Sequence, residues 1–356
     1  MPQIRLFIGD RDAEFLDRLS SYIYRNKGNQ FILELFTDPV KFEDWLNSDG
    51  KADFIAVSSS FLDELPVRPD PSKTLVLIDS PESLIPEEFN AVDKYISAER
   101  LIKEIISLVA DKLPLRNYKD KSCCSAVYLV LYADGSDFYN PLAHSIAYLK
   151  AVDGSSSFYL NLDELSNTDS YFQGNNQKGL SEMLYYIKAK KSNLALKAEA
   201  CTSKDINYGL YFMKGHQNPD DIRSMTPDEC ALLINSIIER SCYESVIVSR
   251  AFIQDKILPV LLNLAEKIFV TSSNFPSSLE RLNKISELLS GMGDTNGTEL
   301  TIGDKVCFCI NSVCRTNEFY RLNNFKKIFL PHPFAENCCF PPSNEYLSAI
   351  KDLLEQ

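Results

Sequence analysis

The chain is poor in the residues that mark most catalytic and metal sites. Its 356 residues include three histidines, one tryptophan and 13 glycines. None of His144, His216 and His332 stands at metal or catalytic spacing from a cysteine or from another histidine, and no Ser/His/Asp or Cys/His set is recognisable. The ten cysteines form no C-x-x-C pair. They come as Cys123-Cys124, Cys338-Cys339, Cys307-x-Cys309 with Cys314 after it, and three singles. Reduced, partly buried thiols explain them best, and no metal site is expected. Positive charge is also in deficit: 37 Lys and Arg against 49 Asp and Glu leave a net charge of −12. That balance excludes a broad nucleic-acid or anionic-membrane surface. The short run Lys188-Ala189-Lys190-Lys191 reads as a solvated helix face. No apolar run reaches membrane-span length, and the N-terminal MPQIRLFIGD lacks a signal-peptide profile. A cytoplasmic protein without direct membrane insertion is expected.

What is present is an ordinary globular composition, 45% apolar and 24% charged, in a chain long enough for two domains. The apolar pattern alternates between strand and helix periods. Strands are expected at 4–8, 31–36, 53–57, 74–78 and 92–96. Helices are expected at 12–25, 39–46 and 98–112, the first capped by Asp12. Five β-α steps in about 115 residues suggest a doubly wound parallel sheet. Polar residues 116–122 (RNYKDKS) read as a linker after Leu113-Pro114, giving domains at 1–115 and 123–356. In the second domain strands are expected at 126–132, 157–162, 208–213, 245–248, 267–271, 306–310 and 327–330. The helices fall at 142–152, 180–190, 227–240, 253–265 and 278–290, and the turn-rich stretch 291–303 reads as a surface loop. The C-terminal 344–356 is amphipathic, with Tyr346, Leu347, Ile350, Leu353 and Leu354 on one face. One lysine against three acids suits docking on its own domain better than anionic lipid.

Between the apolar strand 126–132 and the helix at 142 lies Ala133-Asp134-Gly135-Ser136-Asp137-Phe138-Tyr139-Asn140-Pro141, where a phosphate-binding loop belongs. Such a loop needs glycines that expose backbone N–H groups, a lysine for the β/γ charge, and a Ser/Thr hydroxyl for magnesium. Only Gly135 is kept. Tyr139 stands at the lysine position and Asn140 at the Ser/Thr position, while Asp134 and Asp137 place two carboxylates beside the polyphosphate path. The scaffold suits a nucleotide; its chemistry does not.

The first domain's element order resembles the receiver domain of two-component response regulators. That likeness implies an acidic pair after strand one, an acceptor Asp ending strand three, and a Ser/Thr and a Lys after strands four and five. Here Asp10 and Asp12 keep two carboxylates, Ser58 stands for the acceptor and Asp79 falls near the Ser/Thr position. The resemblance therefore implies a pseudo-receiver used for protein contacts. Asp10 and Asp12 stay open as a residual metal pair or as a cap and loop.

Across both domains the chain resembles the TadZ/CpaE branch of the ParA/MinD ATPases, components of tight-adherence (Flp) pilus assembly. The segments that carry this are Lys94-Tyr95-Ile96-Ser97-Ala98-Glu99 with Ile102-Lys103-Glu104-Ile105, Phe158 to Glu164, Leu180 to Lys188, and Tyr243 to Val248. The expected fold is α/β, two doubly wound domains, flavodoxin-like receiver first and ParA/MinD-type P-loop NTPase second. The family's phosphate and magnesium positions read Asp134, Tyr139, Asn140 and Ser249. Asn311 and Pro331 match the residues that meet adenine, though an Asn ending a strand is also a plain turn former. The resemblance implies a non-catalytic scaffold without a required cofactor, forming a homodimer and contacting the secretion ATPase and membrane-platform proteins. Through these it would be recruited to the membrane or cell pole. Two alternatives stay open: an atypical ATP-switched dimer in which Asp134, Asp137 and Asp163 hold magnesium, and a response-regulator-like signalling protein.

Overall fold

The computed structural model describes residues 3–28, 30–48, 52–112, 125–135, 137, 140–240, 243–292, 302–313, 325–334 and 340–355. The linker 116–122 and loop residues Ser136, Phe138 and Tyr139 lie outside the described residues. The chain forms two compact units, Met1–Asp120 with Lys190–Ala200, and Lys121–Ala189 with Cys201–Gln356.

In the first unit, β1 (Ile4–Gly9), β2 (Phe31–Phe36), β3 (Phe54–Ser58), β4 (Thr74–Ile78) and β5 (Asn90–Asp93) form a sheet of order β2-β1-β3-β4-β5. Every neighbouring pair is parallel, the flavodoxin-like doubly wound order. The helices are α1 (Ala13–Lys27), α2 (Pro39–Asn47), α3 (Ser59–Asp63) and α4 (Ala98–Lys112). The period-2 alternation sends Leu6, Ile8, Ala56, Leu75 and Leu77 to one face, where Leu16, Leu19, Ile23, Ile102, Ile105 and Val109 cover them. Phe7, Ile55, Val57 and Val76 go to the other face, under Phe42, Phe61 and Leu62. Asp12 caps α1 as expected, its Oδ1 accepting from Phe15 N at 3.0 Å. The fifth strand starts and ends earlier than the expected 92–96. Asp93 Oδ1 accepts from Tyr95 N at 2.8 Å, a local turn that stops the ladder.

The second unit is built on an eight-stranded sheet of order β13-β12-β11-β6-β10-β7-β9-β8. Its elements run β6 (Ala126–Tyr132), α5 (Leu142–Val152), β7 (Ser157–Asn161), α6 (Thr168–Tyr171), α7 (Leu180–Lys188), α8 (Leu194–Cys201), β8 (Thr202–Lys204), β9 (Tyr211–Met213), α9 (Asp220–Arg223) and α10 (Pro227–Arg240). They continue with β10 (Ser245–Ala251), α11 (Leu258–Leu264), β11 (Lys267–Ser273), α12 (Pro276–Met292), α13 (Ile302–Lys305), β12 (Val306–Asn311), β13 (Lys326–Leu330) and α14 (Asn344–Glu355). All pairs are parallel except β8 with β9. Both units are thus α/β with doubly wound sheets. The apolar face of α14 enters the core, Tyr346, Leu347, Ile350 and Leu353 packing with α5 and the sheet, and no described helix is long and apolar enough to cross a membrane.

Several expected bounds move for local reasons. The strand expected from 208 begins at Tyr211, because Asp205 Oδ2 accepts from Asn207 N (2.9 Å) and Tyr208 N (2.6 Å) and holds a turn. The helix expected from 253 begins at Leu258, where Asp255 Oδ1 accepts from the N–H groups of Ile257 (3.2 Å) and Leu258 (3.1 Å). Helix α7 stops at Lys188 rather than 190, before the left-handed Lys190 (φ 51°), and α12 continues through Gly291 into the expected loop. Helix α8 was not expected at all, and its residues through Ala200 group with the first unit.

Candidate functional site

In an open α/β sheet the functional groups collect at the carboxyl ends of the strands, and each unit gathers polar residues there. In the first unit Asp10, just past β1, is 1% exposed, and Lys94 past β5 is 4% exposed. Lys94 Nζ donates to Asp10 Oδ1 at 3.0 Å and lies 2.7 Å from Oδ2. Asp10 Oδ1 also accepts from Asp12 N at 2.9 Å, while the Asp12 carboxylate turns to its helix. The two aspartates therefore do not form a metal pair; one is neutralised by a lysine and the other caps α1. Ser58 is fully buried and its Oγ accepts from Phe61 N at 3.3 Å, starting α3. Asp79 accepts from the hydroxyls of Ser59 and Ser60, and Ser59 Oγ lies 2.9 Å from Ser83 Oγ. Burial pushes the Asp79 carboxyl up, but these hydrogen bonds and Lys94 outweigh it and hold it below the ordinary value.

In the second unit the loop after β6 lies at the sheet centre, between β10 and β11. Gly135 adopts φ 83°, a turn conformation that glycine tolerates without strain. Asp134 Oδ2 accepts from Ser273 N and Ser273 Oγ, both at 2.9 Å. Asn140 is buried and its Oδ1 accepts from Thr271 Oγ1 at 2.8 Å. Asp137 Oδ2 accepts from Asn167 Nδ2 at 2.6 Å and lies 3.7 Å from His144 Nε2.

Behind the loop, Tyr159 OH on β7 shares hydrogen bonds with His144 Nε2 and with Ser249 Oγ on β10, each 2.8 Å. Asn161 Nδ2 donates to Asn167 Oδ1 at 3.1 Å, and the His144 ring stacks on Tyr171 at 3.7 Å between centroids. Burial lowers His144 to about 4 against a smaller opposing effect of Asp137, so the imidazole is neutral at pH 7. Burial likewise raises Asp163 to about 6, although Ala251 N–H bonds its Oδ1 and Arg250 favours the charge. Arg250 is itself held by Asp255, at 3.3 and 2.8 Å.

Sequence reasoning located the loop but missed the groups that fill the space behind it. His144, Tyr159, Asn161, Asn167 and Tyr171 are distant in sequence, and only register brings Tyr159 beside Ile247 on β10, two residues before Ser249. Lys94 was visible as a motif residue, and three consecutive serines after β3 were a signal for the Asp79 cluster. Asn311 is fully buried on β12, its Nδ2 donating to Thr271 Oγ1 at 3.5 Å and its Oδ1 without a hydrogen-bond partner. Pro331 follows Leu330, the residue paired with Asn311 across β12 and β13.

A nucleoside triphosphate with magnesium does not fit the described residues. Asp134, Asp137 and Asp163 are each bonded to a different neighbour, Ser273, Asn167 and Ala251 N. Among the described residues no group of three or more His, Cys, Asp or Glu could hold a metal ion.

No protein-family model and no curated protein matches the sequence. Solved structures do. The MinC:MinD cell division protein complex of Aquifex aeolicus is similar at TM-score 0.49 and 13% identity over 65% of this chain and 96% of that one. A plasmid partition protein of Borrelia burgdorferi bound to AMPPNP has TM-score 0.49 and 13% identity over 65% and 97%. A ParA family ATPase of Chlorobium tepidum TLS has TM-score 0.46 and 16% identity over 58% and 84%. Identities this low speak of fold alone.

Proposed function

We propose that this protein is a ParA/MinD-like, non-catalytic scaffold whose former nucleotide site has become structural, and that it acts through protein contacts. The observation that carries the reading is the hydrogen-bonded network behind the loop, in which Tyr159 bonds His144 and Ser249, and Asn167 links Asn161 to Asp137. A site that serves a triphosphate keeps N–H groups and cations free for it; here Asp134, Asp137 and the Tyr159 hydroxyl are taken up by neighbouring side chains.

The first unit, read as a pseudo-receiver, supports the same function. Its acceptor position Ser58 starts a helix, and Asp79 takes the neighbouring hydroxyls. By the resemblance in the sequence, the context is tight-adherence pilus assembly, with a homodimer meeting a secretion ATPase and a membrane platform. The second reading is an ATP-switched dimer of the ParA/MinD class. Two observations favour it: one solved neighbour is named as a ParA family ATPase and another has AMPPNP bound, and the buried Asn311 Oδ1 is left without a hydrogen-bond partner.

Calorimetric titration of the full chain with ATP and magnesium, beside a thermal-shift scan, separates the two. The scaffold predicts no heat and no shift. A ligand at a hundred times its Kd would stabilise the fold by about 2.7 kcal/mol, and such a shift would overturn the scaffold in favour of the switched dimer.

A further inference from the structure

The segment Lys190–Ala200 belongs in sequence to the second unit and in space to the first. Chain on both sides of it, through Ala189 and from Cys201, lies in the second unit. Its entry is marked by two non-glycine residues in the left-handed region, Lys190 (φ 51°) and Asn193 (φ 53°), a conformation that ordinary side chains adopt only where surrounding contacts hold it.

Those contacts are specific. Asn193 Nδ2 donates to Ala110 O at 2.8 Å, satisfying one of the last carbonyls of α4. Lys197, 1% exposed, donates from Nζ to Ser107 O at 2.7 Å and to Asp111 Oδ2 at 2.8 Å, placing a cation at the negative end of that helix. Glu199 accepts from Lys27, at the end of α1, and from Gln30 Nε2 at 2.9 Å. Leu196 and Ala200, 1% and 0% exposed, complete the core that Leu101, Ile105 and Val109 form with the sheet.

A buried lysine and a nearly buried glutamate are costly unless their partners are in place. The seat therefore selects this segment by charge as well as by shape. We propose that residues 190–200 are a non-covalent strap: they complete the first unit's fold and keep it joined to the rest of the chain independently of the 116–122 connection. The strap makes the first unit's stability depend on a segment whose two ends answer to the second unit, so a partner that loosens one end weakens the α1/α4 face. This inference does not depend on whether nucleotide binds.

The test uses the full chain with a specific protease site placed within 116–122. After cutting, the two pieces should co-elute at micromolar concentration at 1:1 stoichiometry by native mass spectrometry, as a 1:1 particle or as the 2:2 particle of a homodimer. Lys197→Met, which keeps the stem and removes the charge, should weaken their association about tenfold. Leu196→Asp combined with Lys197→Asp should release the first unit. Separation of the cut wild-type pieces or co-elution of the cut double variant would each overturn the strap. Should the double variant fail to fold, hydrogen exchange on uncut Lys197→Met decides. Faster exchange confined to α8 and the last turn of α4 supports the strap, and an unchanged pattern overturns it.

Discussion

The two units put polar residues at the same place, the carboxyl edge of a parallel doubly wound sheet, and neutralise them by opposite means. The first unit pairs full charges, Lys94 with Asp10, and adds two serine hydroxyls on Asp79. The second unit relies largely on neutral groups: Asn167 bonds Asp137 and Asn161, and the Tyr159 phenol joins a neutral His144 imidazole to the Ser249 hydroxyl. The difference teaches that polar groups at a strand edge can be satisfied by an ion pair or by neutral hydrogen-bond partners. Of the described loop residues, Asp134, Asp137 and Asn140 each accept a hydrogen bond from a side chain elsewhere in the unit.

The largest break in this comparison should come from the charged side. Lys94→Met leaves Asp10 buried without its cation and should destabilise the first unit by about 3–5 kcal/mol in denaturant unfolding. Adding Asp10→Asn should recover most of that loss, because the charge left stranded disappears. An equal loss in the double variant would mean that packing, not charge, holds the site.

On the neutral side, Tyr159→Phe keeps the ring and removes the hydroxyl that links His144 to Ser249. Stability of the second unit should fall by about 1–3 kcal/mol, without a change in helix content by circular dichroism. No loss would show that the network is incidental.

The pH dependence sharpens the contrast further. His144 titrates at about 4 in the fold against 6.5 when unfolded, so its stabilising effect is full above 6.5 and is lost as pH falls toward 4. Asp163 titrates at about 6 against 3.8, so the fold favours its protonated form and stability is lost as pH rises from 3.8 through 6. The two oppose each other between pH 4 and 6. Asp163→Asn should unmask the histidine and make melting temperature drop more steeply with acid than in the wild type. His144→Asn should do the reverse. Parallel curves for all three proteins would remove both assignments.

The smallest effect is expected at exposed pairs such as Arg18 with Glu14, where Arg18→Ala should leave the melting temperature unchanged within error.

Much of the scaffold was legible because it depends on local period. Ile4, Leu6 and Ile8 alternate with Phe7 whatever surrounds them, the helical stripe Leu16, Leu19, Ile23 follows from spacing, and Asp12 announced its own helix start. The loop at 133–141 was legible by its lack of lysine. The partners were not: nothing local ties Asn167 to Asp137, or Thr271 to Asn140, residues 30 and 131 positions apart. The helix Leu194–Cys201 was missed because its sequence, LALKAEAC, has apolar and charged residues that only a buried seat with Asp111, Lys27 and Gln30 can reconcile.

The sequence by itself determined the class of both units, the order of their strands along the chain and the acidic character of the nucleotide-like loop, since these rest on side-chain period and on which residue types are present. Tertiary structure alone decided that Lys94 meets Asp10, that Tyr159 closes the space behind the loop, and that residues 190–200 serve the first unit. Those outcomes depend on strand register and on the desolvation of charged and polar groups, which exist only once distant segments have packed together.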